Sequence, residues 1–119
     1  MIMSKIWLAN PEVHDFPAAL DYLELLMPLQ EATALVEQLK KAKTQIKKAK
    51  DILRASELPL LPKENMHVMA NLKKFKNGKK LSPLLLVRGN NKLIIADGYH
   101  RICASYYLSE DLEVPCRLV

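Results

Sequence analysis

The sequence predicts an α/β (α+β) fold, a small mixed sheet packed with helices, preceded by an amino-terminal helical hairpin. Two short apolar runs, Leu84–Val87 and Leu93–Ala96, predict adjacent strands because the turn sequence Gly89-Asn90-Asn91 separates them. Apolar residues that recur every three or four positions between Leu29 and Leu53 predict a long amphipathic helix. The 119 residues are enough for one ordinary domain with its own core.

Composition excludes several classes of protein. Half of the residues are hydrophobic and 26% are charged, which excludes disordered and fibrous chains. No apolar run approaches the roughly 20 residues of a membrane span, and the first nine residues lack the pattern of a signal peptide. Cys103 and Cys116 are too few for a disulfide framework or a cysteine zinc site. We therefore expect a cytoplasmic protein with reduced thiols and no membrane partner.

Charge is distributed unevenly along the chain. Residues 1–37 carry one lysine and six acidic residues, a balance of −5, whereas residues 38–119 carry seventeen Lys and Arg and seven acidic residues, a balance of +10. Such a division indicates an anionic partner for the basic part. It is equally typical of two parts that dock on each other, within one chain or between two copies.

Residues 1–49 are predicted to form the helical hairpin. Trp7 is expected to anchor the irregular first segment, and Asp15 to cap a helix of residues 18–27 that Pro28 ends. The second helix is predicted to run unbroken from Leu29 to Leu53 and to pack on the first, or alternatively to form a dimeric coiled coil. Its apolar seam consists of Ala32, Leu35, Leu39, Ala42, Ile46, Ala49 and Leu53.

The opposite face of this predicted helix is rich in lysine. Two interpretations remain open: a solvated face, or a surface that binds anions such as nucleic acid without sequence preference. The lysines are Lys40, Lys41, Lys43, Lys47, Lys48 and Lys50.

Residues 50–119 are predicted to form the α/β domain. An extended connector at 58–62 is followed by a short helix that Asn65 caps and Asn77-Gly78 closes. After the two apolar strands, a helix of residues 102–108 and a last strand of residues 114–119 complete the domain.

The turn from the second apolar strand into the following helix is the candidate site. Amides at the start of a helix lack partners and attract anions, and Gly98 would let a ligand approach the backbone. His100 would donate a hydrogen bond, and Arg101 would clamp phosphate oxygens. In the alternative interpretation Asp97 caps the helix, Gly98 relieves a tight turn, and the two basic residues are solvated.

Residues 50–119 resemble the ParB/sulfiredoxin-like superfamily. The resemblance implies that Gly98, Tyr99, His100 and Arg101 bind the phosphates of a nucleotide, CTP or ATP, and that Arg54 reaches the same site. The matching segments are Asp51-Ile52-Leu53-Arg54, Leu81-Ser82-Pro83-Leu84-Leu85-Leu86-Val87, Asp97-Gly98-Tyr99-His100-Arg101 and Val114-Pro115-Cys116-Arg117-Leu118-Val119.

Two departures narrow what the resemblance implies. Tyr99 stands where sulfiredoxins hold their catalytic cysteine, and a phenol that ionises near pH 10 cannot replace a thiolate, so sulfiredoxin activity is not expected. Cys103, one helical turn further on, is expected in the core. No helix-turn-helix segment of the ParB kind follows the last strand, so sequence-specific DNA binding is not expected either.

The predicted function is therefore a nucleotide- or phosphate-binding module. One alternative is an enzyme that hydrolyses a nucleotide or transfers its phosphate, with Asp97 on Mg²⁺ and His100 as acid or base. Another is a chromosome-partition-like protein that associates with nucleic acid through its lysines. The amino-terminal helices would mediate homodimerisation or partner binding. His14 and His67 are lone histidines, so no metal site is expected around them.

Overall fold

A four-stranded mixed sheet lies between two groups of helices in the computed structural model, which describes residues 6–119. The inner strand β4 pairs parallel with β2 and antiparallel with β1, while β3 pairs antiparallel with β2, so the sheet order is β1-β4-β2-β3. The strands are β1 (Gln45–Lys48), β2 (Leu84–Arg88), β3 (Leu93–Asp97) and β4 (Glu113–Leu118). The described helices are α1 (Asp15–Leu23), α2 (Leu29–Lys41), α3 (Ala49–Ser56), α4 (Met66–Lys76) and α5 (Tyr99–Leu108). The predicted α+β class is confirmed.

Each face of the sheet buries its own apolar cluster because successive side chains of a strand point to opposite faces. Leu85 and Val87 of β2 pack with α1 and α2, whereas Leu84 and Leu86 pack with α3, α4 and α5. The continuous apolar sequence of β2 follows from this burial on both faces. The helical hairpin α1–α2 is thus one outer layer of the molecule and shares a core with the sheet.

The prediction of one unbroken helix from Leu29 to Leu53 is wrong. Helix α2 ends at Lys41, Ala42 is extended, and residues 45–48 form the edge strand β1 before α3 begins. Lysines at Lys43 and Lys47 would repel each other one turn apart on a helix, and pairing with β4 gives the backbone of β1 its hydrogen bonds instead. Arg117 of β4 fixes the break, because its guanidinium donates to the carbonyls of Leu39 and Lys40 at 3.3 and 2.8 Å.

Because of this break, the lysines of the predicted lysine face do not lie along one helix, and the apolar residues predicted as a coiled-coil seam do not form one continuous helical stripe. The lysines of that face lie on α2, on β1, on α3 and between them, rather than along one helix. Lys40 pairs with Glu37 at 3.1 Å, and Lys50 pairs with Asp111 at 3.0 Å.

Several local predictions are confirmed. The Asn65 side chain caps α4, accepting from the amides of His67 and Val68 at 2.9 and 3.2 Å, and Gly78 adopts a positive φ of +75° after that helix. Trp7 is buried edge-on against Phe75, with 5.4 Å between ring centroids. β2, β3 and β4 lie within one residue of their predicted bounds, and Cys103 and Cys116 are both buried in the core.

The predicted start of the first helix is wrong. Helix α1 begins at Asp15 itself, and the carboxylate of this buried residue accepts the amide of Glu12 at 3.0 Å instead of capping a helix that starts near Pro17. The helix also ends at Leu23, four residues before the predicted end. No described helix has the length and hydropathy needed to cross a membrane.

Candidate functional site

The turn between β3 and α5 depends on Gly98. Its φ of +113° is a conformation that side-chain-bearing residues rarely adopt, and a Cβ there would lie 2.8 Å from Leu84 Cγ and 3.0 Å from Arg101 Nη2. Leu84 is fully buried in the core. Leu84 and Arg101 therefore fill the Cβ direction of Gly98, which explains why the turn needs a glycine, as the alternative interpretation expected. Whether a ligand approaches the backbone of Gly98 from its other side stays a prediction.

A surface hollow of about 210 Å³ lies beside this turn, between α4 and α5. It brings together the four consecutive residues that the sequence singled out. It adds three polar residues of α4, His67, Asn71 and Lys74. The sequence leaves open whether the lysines around this helix, Lys74 among them, add positive potential to the site or are solvated, and it does not predict His67 or Asn71 as site residues. Its lining consists of His67, Ala70, Asn71, Lys74, Asp97, Gly98, Tyr99, His100 and Arg101.

A signal for the α4 residues was present in the sequence. His67, Asn71 and Lys74 are spaced by four and three positions, so they form a polar stripe on one face of the predicted helix. Which partner this stripe faces depends on how α4 packs against α5, and no local pattern specifies that packing.

Arg101 is held by the protein itself. Its Nη2 donates to Asp97 Oδ2 at 2.9 Å and to the carbonyl of Pro83 at 3.3 Å, and the two paired side chains are only 15% and 19% exposed. Burial raises the pKa of Asp97, and the Arg101 charge opposes that rise. The ion pair ties the start of α5 to the end of β3, and the hydrogen bond to Pro83 ties it to the residue before β2. Nη2 is therefore engaged within the fold, whereas the buried Nε of Arg101 has no hydrogen-bond partner among residues 6–119.

Asp97 does not have either role predicted for it from the residues alone. Gly98 occupies the cap position of α5, and no side chain caps this helix. As a ligand for Mg²⁺ it is poorly suited, because one oxygen is bonded to a guanidinium, and the described residues contain no cluster of three or more potential metal-ligating groups. The residues present therefore do not fit a metal.

Tyr99 holds the connector that precedes α4. Its hydroxyl donates to the Pro59 carbonyl at 2.5 Å, and the hydroxyl of Tyr107, two turns along α5, donates to the Leu61 carbonyl at 2.6 Å. Partial burial raises the pKa of the Tyr99 phenol above 10.0. At neutral pH the Tyr99 phenol is thus uncharged, and its hydroxyl proton is already donated to the Pro59 carbonyl.

The rings of His100 and His67 are in contact in the lining of the hollow, with 4.8 Å between ring centroids. Burial, and then the neighbouring His67, lower the pKa of His100 below 6.5. His100 is therefore mostly neutral at pH 7 and carries one N–H to donate. The ammonium of Lys74 forms no ion pair within residues 6–119, and it supplies a positive charge to the lining.

The first turn of α5 adds backbone donors. The helical hydrogen bonds begin with the amide of Ile102, which donates to the Gly98 carbonyl at 2.9 Å. The preceding amides, those of Tyr99, His100 and Arg101, have no intrahelical acceptor and carry the positive end of the helix dipole. The lining therefore combines a lysine, a neutral imidazole and oriented amides.

Arg54 does not line this hollow. Its side chain is 85% exposed and pairs with Asp51 at 3.3 Å, so it does not reach the site in the way that the resemblance implies. It lines a separate depression of about 530 Å³ beside β1, together with Lys47, Lys48 and Lys50.

Comparison with family models, with curated proteins and with solved structures finds no match. The resemblance of residues 50–119 to the ParB/sulfiredoxin-like superfamily accordingly stays a prediction that rests on the quoted segments.

Proposed function

We propose that this protein is a phosphate-binding module whose ligand occupies the hollow between α4 and α5. The observation that carries the proposal is the position of Lys74, which lines the same hollow as the first turn of α5. A lysine ammonium and free helix amides form a complementary pair of donors for phosphate oxygens.

The charge balance of the hollow supports an anion. Asp97 is the carboxylate in the lining, and its charge is offset by Arg101 at 2.9 Å. Lys74 is then left as a net positive charge, with His100 as an additional donor. A dianionic phosphate gains most from such a site, because charge-assisted hydrogen bonds are about twice as strong as neutral ones.

The volume of the hollow is large enough for the phosphate part of a nucleotide but not for the whole molecule. Pockets that enclose a whole drug-sized molecule measure about 300–1,000 Å³, and this hollow measures about 210 Å³. A phosphate or diphosphate fits within it, while the nucleoside of CTP or ATP would lie outside against the rim. Binding energy would then come mainly from the phosphates, with weak preference among bases.

Calorimetric titration with inorganic phosphate, pyrophosphate, CTP and ATP tests the proposal. Lys74→Ala should weaken binding by about 10- to 100-fold, the value of a charge-assisted hydrogen bond of roughly 1.5–3 kcal/mol. Lys73→Ala is the matched control, since the neighbouring lysine of α4 does not line the hollow. Equal effects of the two substitutions would contradict the proposal.

Two further measurements distinguish the phosphate-binding module from the two alternatives, non-specific association with nucleic acid and a nucleotide-hydrolysing enzyme. Association of nucleic acid with dispersed lysines would fall steeply with salt and would respond equally to either lysine. A hydrolytic enzyme would convert bound CTP or ATP to products, which chromatography of the titrated sample detects. Arg101→Ala is unsuitable as a probe, because it leaves the buried Asp97 carboxyl without its partner.

A further inference from the structure

The two edges of the sheet differ in how they are protected. In the edge strand β1 all four residues are exposed, and two of them are lysines, Lys47 and Lys48. Charged side chains, lysine above all, are the usual protection of an edge strand against pairing with another chain. The opposite edge strand, β3, reads Leu-Ile-Ile-Ala over residues 93–96 and carries no charge before Asp97.

Main-chain groups of β3 point toward its outer side, where Leu93 and Ile94 are half-buried and Ile95 and Ala96 are buried. The amide of Gly89 donates to the Lys92 carbonyl at 3.0 Å, and the register continues with Val87 opposite Ile94. In an antiparallel pair, residues alternate between facing the partner and facing away. Leu93 and Ile95 therefore point their N–H and C=O groups away from β2, and within residues 6–119 no hydrogen bond satisfies them.

A groove of about 340 Å³ follows this outer side of β3. One wall comes from the α1–α2 layer, where Tyr22 and Leu26 are 42% and 52% exposed, and the other wall comes from Ser56 and Leu58 at the end of α3. Leu25 and Leu29, beside Leu26 in sequence, are also exposed. The groove therefore combines unpaired backbone with apolar walls, as in sites where a strand is added to a sheet.

The two ends of β3 carry opposite charge. Arg88 and Lys92 flank the turn at its start, with only Gly89, Asn90 and Asn91 between them. At its other end lies Asp97, close enough to the start of α1 that the Asp15 carboxylate raises its pKa. Glu12, whose amide bonds to Asp15, extends this acidic end. Arg101 pairs with Asp97 at 2.9 Å, and His14 Nε2 lies 3.2 Å from a Glu12 oxygen and 3.4 Å from an Asp15 oxygen. Of the three carboxylates, that of Glu12 is the one whose side chain is well exposed, at 43%.

We propose that β3 pairs antiparallel with β3 of a second copy of this chain, which joins the two sheets into one of eight strands across a two-fold axis. Antiparallel pairing places the basic end of each β3 strand opposite the acidic end of the other, so the two-fold axis generates two identical contacts between opposite charges. It also satisfies the outward backbone groups of Leu93 and Ile95 in both copies. Isologous two-fold contacts of this kind are the commonest in homo-oligomers, and sheets of up to about ten strands are ordinary.

Sedimentation equilibrium of the whole chain over a concentration series tests the proposal, with the mass of a dimer at twice 13.6 kDa. Lys92→Glu should weaken dimerisation by at least about tenfold, because it places like charges at both symmetric contacts. The double variant Lys92→Glu with Glu12→Lys should restore it. Lys47→Glu, the same reversal on the opposite edge, is the matched control and should leave the dimer unchanged.

Hydrogen exchange gives an independent measurement on the unaltered chain. The amides of Leu93 and Ile95 should exchange more slowly at concentrations where the dimer forms, whereas exposed amides of β1 should not change. A monomer at every concentration overturns the proposal, and so does a monomer that takes up an added apolar peptide at β3. A dimer that Lys47→Glu disrupts and Lys92→Glu does not would place the interface at β1 and would also overturn it.

Discussion

Replacement of Gly98 by alanine tests how the turn at the candidate site is built. The new Cβ would lie 2.8 Å from Leu84 Cγ, closer than real Cβ contacts come, and Leu84 is fully buried and cannot move into solvent. Left-handed backbone costs a residue with a side chain about 1–2 kcal/mol, and overpacking a filled core costs about 1–3 kcal/mol. Gly98→Ala should therefore lower the free energy of unfolding by about 2–5 kcal/mol.

Gly78→Ala provides the matched control. Gly78 also has a positive φ, +75°, but a Cβ there meets no atom within 4 Å. This variant bears only the backbone cost, about 1–2 kcal/mol. The difference between the two variants therefore isolates the contact with Leu84 and Arg101.

Thermal and urea unfolding followed by circular dichroism measure both variants. For a domain of this size Tm falls by about 4 °C for each kcal/mol, so Gly98→Ala should melt roughly 8–20 °C lower than the wild type. If Gly98→Ala costs no more than Gly78→Ala, the close contact at Leu84 does not constrain the turn, and the reasoning is refuted.

Three further predictions concern groups outside the hollow or at its rim. Cys103 and Cys116 should resist alkylation at pH 8 in the folded protein and react on denaturation, because burial raises the pKa of both thiols, that of Cys116 from 9.0 to about 11. Since the folded state holds the Cys116 proton more tightly, the free energy of unfolding should fall as the pH rises from about 9 to about 11. A Cys116→Ser variant whose free energy of unfolding falls as steeply over this pH range would contradict the prediction. Tyr107→Phe should lower the free energy of unfolding by about 1 kcal/mol, and Tyr99→Phe should lower it by less, because the Tyr107 hydrogen bond is half-buried and the Tyr99 hydrogen bond is exposed. Urea unfolding measures both variants. A larger effect of Tyr99→Phe would show that the connector is held mainly at Pro59. Arg117→Met should expose the last turn of α2 to faster amide exchange and lower stability by about 1–3 kcal/mol, and unchanged exchange there would show that the helix ends without this residue.

Three of the four described strands, β2, β3 and β4, could be predicted because their signals are local. The apolar runs of β2 and β3 and the Gly-Asn-Asn turn between them specify a hairpin, and the cap at Asn65 needs only its own helix. These features depend on residues close in sequence, so a pattern in the sequence records them.

The break after Lys41 could not be predicted, because the bonds from Arg117 that cause it join residues 77 and 78 positions apart. Ile46 and Ala49 continue the helical spacing of α2, but pairing of β1 with β4 and the bonds from Arg117 determine the backbone there. Tertiary contacts of this kind override local propensity. For the same reason the sequence could not decide whether Lys74 is solvated or lies beside the site, since its position depends on how α4 lies against α5.

The candidate turn was located correctly in sequence, but the roles assigned to its residues were not all predictable. That Asp97 would pair with Arg101 follows from their spacing only once α5 is known to begin at Tyr99 and not at Ile102. The same sequence pattern is compatible with an Arg101 guanidinium that bonds to its own fold and with one that is left unpaired to bind a phosphate.

The place of β4 in the sheet has a consequence for synthesis on the ribosome. β4 is the last of the four described strands in chain order, yet it lies inside the sheet between β1 and β2. Until residues 113–118 emerge, β1 has no partner and the β2–β3 hairpin carries the α1–α2 layer alone. Contacts between residues this far apart form slowly, and unpaired edges are prone to aggregation meanwhile. Between the completion of β3 at Asp97 and the emergence of β4, the nascent chain therefore holds the β2–β3 hairpin and an unpaired β1, and the insertion of a single strand joins them.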